Sequence, residues 1–131
     1  MNNTQGHVLV VDDEEGIRLL LDRLLSARNY SVSLAATLFE AIETLKSRPI
    51  DVVLLDVQLG ERETGLQLLR EVRRHAATVR LPVIIMTGLT LGEADEEQIR
   101  AEGAYVFYKP IDTEALLAYV DRLARSRPAP S

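Results

Sequence analysis

Five side chains capable of joint chemistry each come directly after a short apolar run. Asp12 and Asp13 follow residues 7–11, Asp56 follows 51–55, Thr87 follows 82–86 and Lys109 follows 105–108. A carboxylate can attack phosphorus as a nucleophile and become an aspartyl phosphate. An ammonium and a hydroxyl nearby could neutralise and hydrogen-bond the oxygens of the transferred group, and phosphoryl transfer rests mainly on such positioning and electrostatics. Carboxylates brought together repel by ~4 kcal/mol per pair at 4 Å in an effective dielectric near 20. A hard, oxygen-seeking cation such as Mg²⁺ offsets this, since it binds through one or two carboxylates, waters and phosphate oxygens. Lys109 stands out for another reason. Of the 15 basic residues only Lys46 and Lys109 are lysines, and the compact charge of a lysine suits this slot better than a planar guanidinium.

The elements that must position these groups alternate along the chain. Residues 7–11 form a short β-branched run, and Ile17, Leu20, Leu21, Leu24 and Leu25 then recur at helical spacing. A second strand is predicted over 30–34, with a helix carrying Leu38, Ala41, Ile42 and Leu45 that stops before Pro49. Further strands are predicted at 51–55, 82–86 and 105–108. The intervening helices carry Leu66, Leu69 and Val72, then a polar stretch over 93–102, then Leu116, Leu117, Val120 and Leu123 from about Asp112 onward. Five strand–helix units in strict alternation predict a parallel sheet with helices on both faces. Ligands of such sheets bind beyond the carboxyl ends of the strands, where all five candidates fall.

The 131 residues suit one domain, expected over 1–126, with 127–131 a proline-containing tail or the start of a linker. The absence of cysteine excludes disulfides and thiolate chemistry. A net charge of −5 argues against direct nucleic-acid binding, and no apolar run approaches a membrane span of ~18 residues. The polar N-terminus lacks the order of a signal peptide, so a cytoplasmic location is expected. His7 and His75 have no partnered ligand nearby in sequence and read as structural or solvated. Glu14 and Glu15 read as a helix start, and the acid run over 93–97 as a solvated helix face.

Four stretches carry a family resemblance: Val-Leu-Val-Val-Asp-Asp-Glu at 8–14, Asp-Val-Val-Leu-Leu-Asp at 51–56, Ile-Met-Thr-Gly at 85–88 and Lys-Pro at 109–110. Each alone is weak, but together and in order the chain from about His7 to Arg125 resembles the receiver domain of two-component response regulators. The resemblance implies a flavodoxin-like, doubly wound (βα)5 fold with strand order 2-1-3-4-5. It implies that Asp56 is the phosphoacceptor, that Asp13 ligates Mg²⁺ directly and Asp12 more through water, and that the main-chain carbonyl of Gln58 is a further ligand. Thr87 and Lys109 would contact the phosphoryl group, and Lys109-Pro110 would be a cis peptide. The implied partners are a sensor histidine kinase or phosphotransfer protein upstream and a downstream protein or separate output domain. Homodimerisation through the fourth and fifth helices and the fifth strand is allowed but not demanded. Catalysis would be self-directed, so no enzyme is expected.

The pattern departs from the family in three places. Gly60 stands where a proline is usual, and the next glycine, Gly65, comes nine residues after Asp56 rather than eight, so a longer and more flexible loop is expected over 60–64. Gly103-Ala104 lies one residue closer to Lys109 than is usual. Val106 occupies the slot of the switch aromatic, with Tyr108 on the same face by strand alternation. These departures motivate the alternative of a receiver-like binding module that needs no phosphate. An aspartate-dependent phosphatase is a more distant alternative, since the chain has no cap domain.

Overall fold

The computed structural model of the protein describes residues 4–60, 63–88 and 91–126; the tail at 127–131 lies outside them. The apolar runs become strands β1 (Gly6–Val11), β2 (Tyr30–Ala35) and β3 (Val52–Asp56), and further along β6 (Val83–Thr87) and β7 (Tyr105–Tyr108). They pair in parallel in the order β2-β1-β3-β6-β7. With the strands of this sheet counted alone, that is the expected 2-1-3-4-5. Helices α1 (Glu15–Ser26), α2 (Leu38–Ser47), α3 (Gly65–Arg74), α4 (Glu93–Ala101) and α5 (Thr113–Ser126) make the crossovers.

Strand alternation divides the core into two. Leu9, Val11, Val53, Leu55, Val83 and Ile85 face α2, α3 and Ile99 of α4. Val8, Val10, Val52, Leu54, Ile84 and Met86 face Leu21 and Leu25 of α1 and Leu116, Val120 and Leu123 of α5. Both faces of β3 are covered, so all five of its residues are buried. This explains why its sequence reads as a continuous apolar run instead of an alternation. Leu20 shares the helical spacing of the α1 stripe but lies at its edge and stays 46% exposed. Among the described residues no helix is long and apolar enough to cross a membrane.

Of the flexible loop expected over 60–64, the last two residues form a strand. Two short strands, β4 (Gln58–Leu59) and β5 (Glu63–Thr64), pair antiparallel; residues 61 and 62 lie outside the described ones. Leu59 anchors the ribbon in the core, and Thr64 with Gln67 forms a capping box that starts α3. Residues 58–59 and 63–64 thus flank the turn as a paired ribbon. Gly65 ties it down: its N–H donates to the Val57 carbonyl at 2.6 Å, and a Cβ there would lie 2.2 Å from the Asp56 carbonyl oxygen.

The shift at Gly103 has a similarly local cause. Gly103 (φ 69) ends α4 in the left-handed region, with the Ala104 N–H donating to the Ile99 carbonyl at 3.1 Å, as in a Schellman cap. Among the described side chains of α4, Ile99 is the one that is buried. Arg73 of α3 adds a polar tether, donating to the main-chain carbonyls of Glu102 at 2.6 Å and Leu81 at 2.7 Å. Burial lowers the pKa of Arg73 and the charge of Glu102 opposes this, but a guanidinium stays protonated in proteins regardless.

Gly65→Ala forces a methyl against a main-chain oxygen that cannot rotate away. We expect a loss of about 2–3 kcal/mol, the upper part of the overpacking range, in urea unfolding. Gly16→Ala, with nothing within 4 Å of the added carbon, should be neutral or stabilising by a few tenths of a kcal/mol through helix propensity. Equal effects at the two positions would contradict the packing at Gly65.

Candidate functional site

The parallel order sets the carboxyl ends of β1 and β3 side by side, with β6 next to β3 and β7 beyond it. Asp12 and Asp56, which cannot be near one another in sequence, therefore meet at one edge. Asp12 is fully buried and Asp56 is 5% exposed, whereas Asp13 is exposed. Carboxylate oxygens of the three lie within 4.8 Å of one another. Lys109, following β7, donates from Nζ to Asp56 Oδ2 at 3.1 Å and stands 3.7 Å from Asp12 Oδ2. Its main-chain N–H donates to the Thr87 carbonyl at 2.8 Å, and Lys109-Pro110 is cis. A cleft of about 330 Å³ opens between Asp13, Asp56, Gln58, Thr87 and Lys109. The sequence-expected site residues thus converge.

Main-chain donors fix the carboxylates. Asp56 Oδ1 accepts the Gln58 N–H at 3.1 Å, Asp12 Oδ1 accepts the Glu14 N–H at 2.9 Å, and Asp13 Oδ2 accepts the Gly60 N–H at 3.0 Å. Arg18 of α1 reaches back to the Asp12 carbonyl at 2.7 Å. Sequence reasoning missed the parts played by Gly60 and Arg18. The signals available were a glycine in place of the usual proline and a cation near the N-terminal end of a helix, where the dipole disfavours it.

His7 and His75 stay out of the site. His7 Nε2 lies 2.7 Å from Ser33 Oγ, and His75 sits on an exposed helix end 3.4 Å from Glu71 Oε2.

Three carboxylates face one ammonium, and the electrostatics reflect the shortfall. Burial pushes the Asp12 carboxyl up to about 6; the Glu14 N–H and Lys109 oppose the rise, and the charge of Asp56 adds to it. For Lys109 burial acts downward, but the hydrogen bond to Asp56 and the charges of Asp12 and Asp56 outweigh it and raise the pKa. Asp12 Oδ2 is buried with no hydrogen-bond partner. An unpartnered carboxylate oxygen amid further acid oxygens is the donor set a hard divalent cation takes, so the residues present fit Mg²⁺.

With this geometry in place, comparison with known proteins decides the family. The family profile described as "Response regulator receiver domain" matches residues 8–121. The chain belongs to that family. It is 36% identical over 124 residues to the regulatory protein VirG of Agrobacterium fabrum, covering 94% of this chain and 47% of VirG. It is 30% identical over 128 residues to the transcriptional regulatory protein ZraR of Klebsiella oxytoca, covering 97% of this chain and 28% of ZraR. The receiver chain thus spans about half of the VirG relatives and under a third of ZraR. Among solved structures, the chemotaxis response regulator CheY4 of Vibrio cholerae superposes with a TM-score of 0.81 at 29% identity, covering 92% of this chain and 99% of that one. Receivers of response regulators are signalling domains.

The raised pKa of Asp12 has a sign that can be checked. In ion-free protein the folded state holds a proton that the unfolded chain, with an ordinary carboxylate, has released. Stability therefore falls as pH rises from the ordinary carboxylate range through about 6, by roughly 1–3 kcal/mol. Asp12→Asn removes this dependence. Urea unfolding in chelator should show the mutant gaining on the wild type by about 1–3 kcal/mol between pH values near 4 and near 7, carboxylates distant from the site cancelling in the difference. Parallel pH profiles would show that Asp12 is not strained by its burial.

Proposed function

We propose that this receiver accepts a phosphoryl group on Asp56 from a histidine kinase or phosphotransfer protein and relays the signal through altered partner affinity. One observation carries the reading. Asp56 is nearly buried at the end of β3, with one oxygen on Lys109 and the other on the Gln58 N–H, and it borders an open cleft. A buried acid without a task would be costly, and this one is oriented toward space that a phosphoryl group could enter.

Asp12, Asp13, Asp56 and the Gln58 main-chain carbonyl would hold Mg²⁺, which when bound supplies neutralisation of negative charge on the phosphoryl oxygens. The chain's own residues do the remainder. An Asp56 carboxylate oxygen forms a bond to phosphorus as the phosphorus–nitrogen bond of the donor histidine breaks, the electron pair leaving with the imidazole. Lys109 shifts its ammonium from the carboxylate toward the incoming oxygens, and Thr87 hydrogen-bonds one of them. The ribbon β4–β5 holds Asp56 and Asp13 by N–H groups, so the carboxylates are oriented before the donor arrives. The altered loop that motivated a phosphate-independent module is built as a support for the site, which favours phosphoryl chemistry over that alternative.

We assign the receiver unit to residues 1–126. The relatives named as regulatory and transcriptional regulatory proteins support an output carried by a downstream protein or a further domain. The acidic charge of this chain disfavours direct nucleic-acid contact by the receiver itself.

Incubation with acetyl phosphate and Mg²⁺, followed by intact mass, should show one phosphoryl group on the wild type and none on Asp56→Asn or in chelator. Lys109→Met should slow the reaction about 100-fold, as loss of a charge-stabilising donor does. An adduct that survives Asp56→Asn would sink the assignment of the acceptor. No adduct together with no Mg²⁺ uptake would favour the phosphate-independent module, and turnover of a phosphomonoester would favour a phosphatase.

A further inference from the structure

Asp12 is held on every polar atom but one. Its N–H donates to the Ala35 carbonyl at 3.1 Å, its Oδ1 accepts from Glu14 and its carbonyl accepts from Arg18 Nη1 at 2.7 Å. The atom left over is Oδ2, buried, without a hydrogen bond and 3.7 Å from Lys109 Nζ. Arg18 lies about one turn into α1 and is half-buried. Its guanidinium spans six residues of sequence to reach a main-chain oxygen at the end of β1. A donor that is always ionised gives a short, charge-assisted bond.

We propose that Arg18 is a positioning residue for the ion: it clamps the Asp12 main chain and so holds the Asp12 carboxylate within reach of those of Asp56 and of the adjoining Asp13, which border the cleft. The proposal rests on reading the cleft as a Mg²⁺ site. It assigns Arg18 no contact with the ion, the donor or the phosphoryl group.

Two effects of Arg18 have opposite signs, which makes the proposal decidable. As a cation near an acidic site, Arg18 repels a divalent ion, so its loss should tighten binding. As a clamp it orients a ligand, and loss of such outer contacts costs 10–100-fold in metal affinity. If positioning outweighs repulsion, removal weakens binding despite the lost positive charge.

The test uses the full chain with Arg18→Met and Arg18→Lys, Mg²⁺ affinity by calorimetric titration, and amide exchange at Glu14 in metal-free protein. The Glu14 N–H donates to Asp12 Oδ1, so it reports the Asp12 turn without any ion. Arg18→Met should weaken Mg²⁺ binding about tenfold, near the low end of that range, and speed Glu14 exchange to a similar degree. Arg18→Lys keeps the charge but not the fork and should fall between wild type and Met; it also supplies the comparison where Arg18→Met does not fold. Unchanged or tighter Mg²⁺ binding overturns the proposal. So does a lower thermal midpoint with both readouts unmoved, which marks a merely structural arginine. Wild-type protein that takes up no Mg²⁺ overturns the ion reading itself, a failure seen before any variant is compared.

Discussion

Carboxylate oxygens of Asp12, Asp13 and Asp56 within 4.8 Å of one another repel by roughly 3–4 kcal/mol per pair at an effective dielectric near 20, and two of the three groups are buried. A fold that tolerates this must supply donors to the carboxylates without filling the cleft. Among the described residues Lys109 is the ammonium within reach, placed by β7 and bonded to Asp56. The rest of the support is main chain: the N–H groups of Glu14, Gln58 and Gly60 each take one carboxylate oxygen. Main-chain donors suit the task because they bring partial charge on rigid elements and need little reorganisation when a phosphoryl group arrives. Support remains incomplete at Asp12 Oδ2, which is buried without a hydrogen bond and stands 3.7 Å from Lys109 Nζ.

Each support in turn constrains its element. For Gly60 to reach Asp13, β4 must run out from the end of β3 and turn at a residue with φ 79. For the ribbon to return, Gly65 must pass against the Asp56 carbonyl with no room for a side chain. One glycine permits the turn and the other permits the close approach. The ribbon, the start of α3 and the orientation of two acids are one connected arrangement. Its consequence for function is orientation of the carboxylates ahead of any donor.

The sheet and the convergence of Asp12, Asp13, Asp56, Thr87 and Lys109 were legible in the sequence because both rest on side-chain identity. Apolar runs mark buried strands, and a parallel sheet delivers the residues at the end of each run to the same edge. The features hidden from sequence rest on atoms every residue shares. A glycine in place of the usual proline restores an N–H at residue 60, but nothing in residue type says which acceptor it takes, and the 60–64 stretch read as a flexible loop. Arg18 was obscured differently: on a helix with charged neighbours, an arginine that reaches back to the main chain looks like one facing solvent.

The far side of the site bears on how a signal would leave it. Val106, in the slot where the family carries an aromatic, packs half-buried against the α2–α3 core, and a β-branched side chain is stiff about χ1. Tyr108 on the same face is 52% exposed and not packed in that core. The packed aromatics of β7 lie on the opposite face: Tyr105 and Phe107 meet Tyr119 of α5 with ring centroids 5.2 and 5.6 Å apart. A swing of residue 106 therefore offers little displacement. Helix α4 offers more. Ile99 and the Arg73 tether fix its C-terminal half, whereas its first turn carries Glu93, Asp95 and Glu96, all exposed, with no side-chain cap on the helix. Leu91, just before that turn, is buried in the same core, so the exposed stretch between Leu91 and Ile99 is the part of the helix freest to open. That stretch follows β6 in sequence, and Thr87 at the end of β6 is paired with Tyr108 of β7, so a shift at Thr87 bears on α4 and β7 alike.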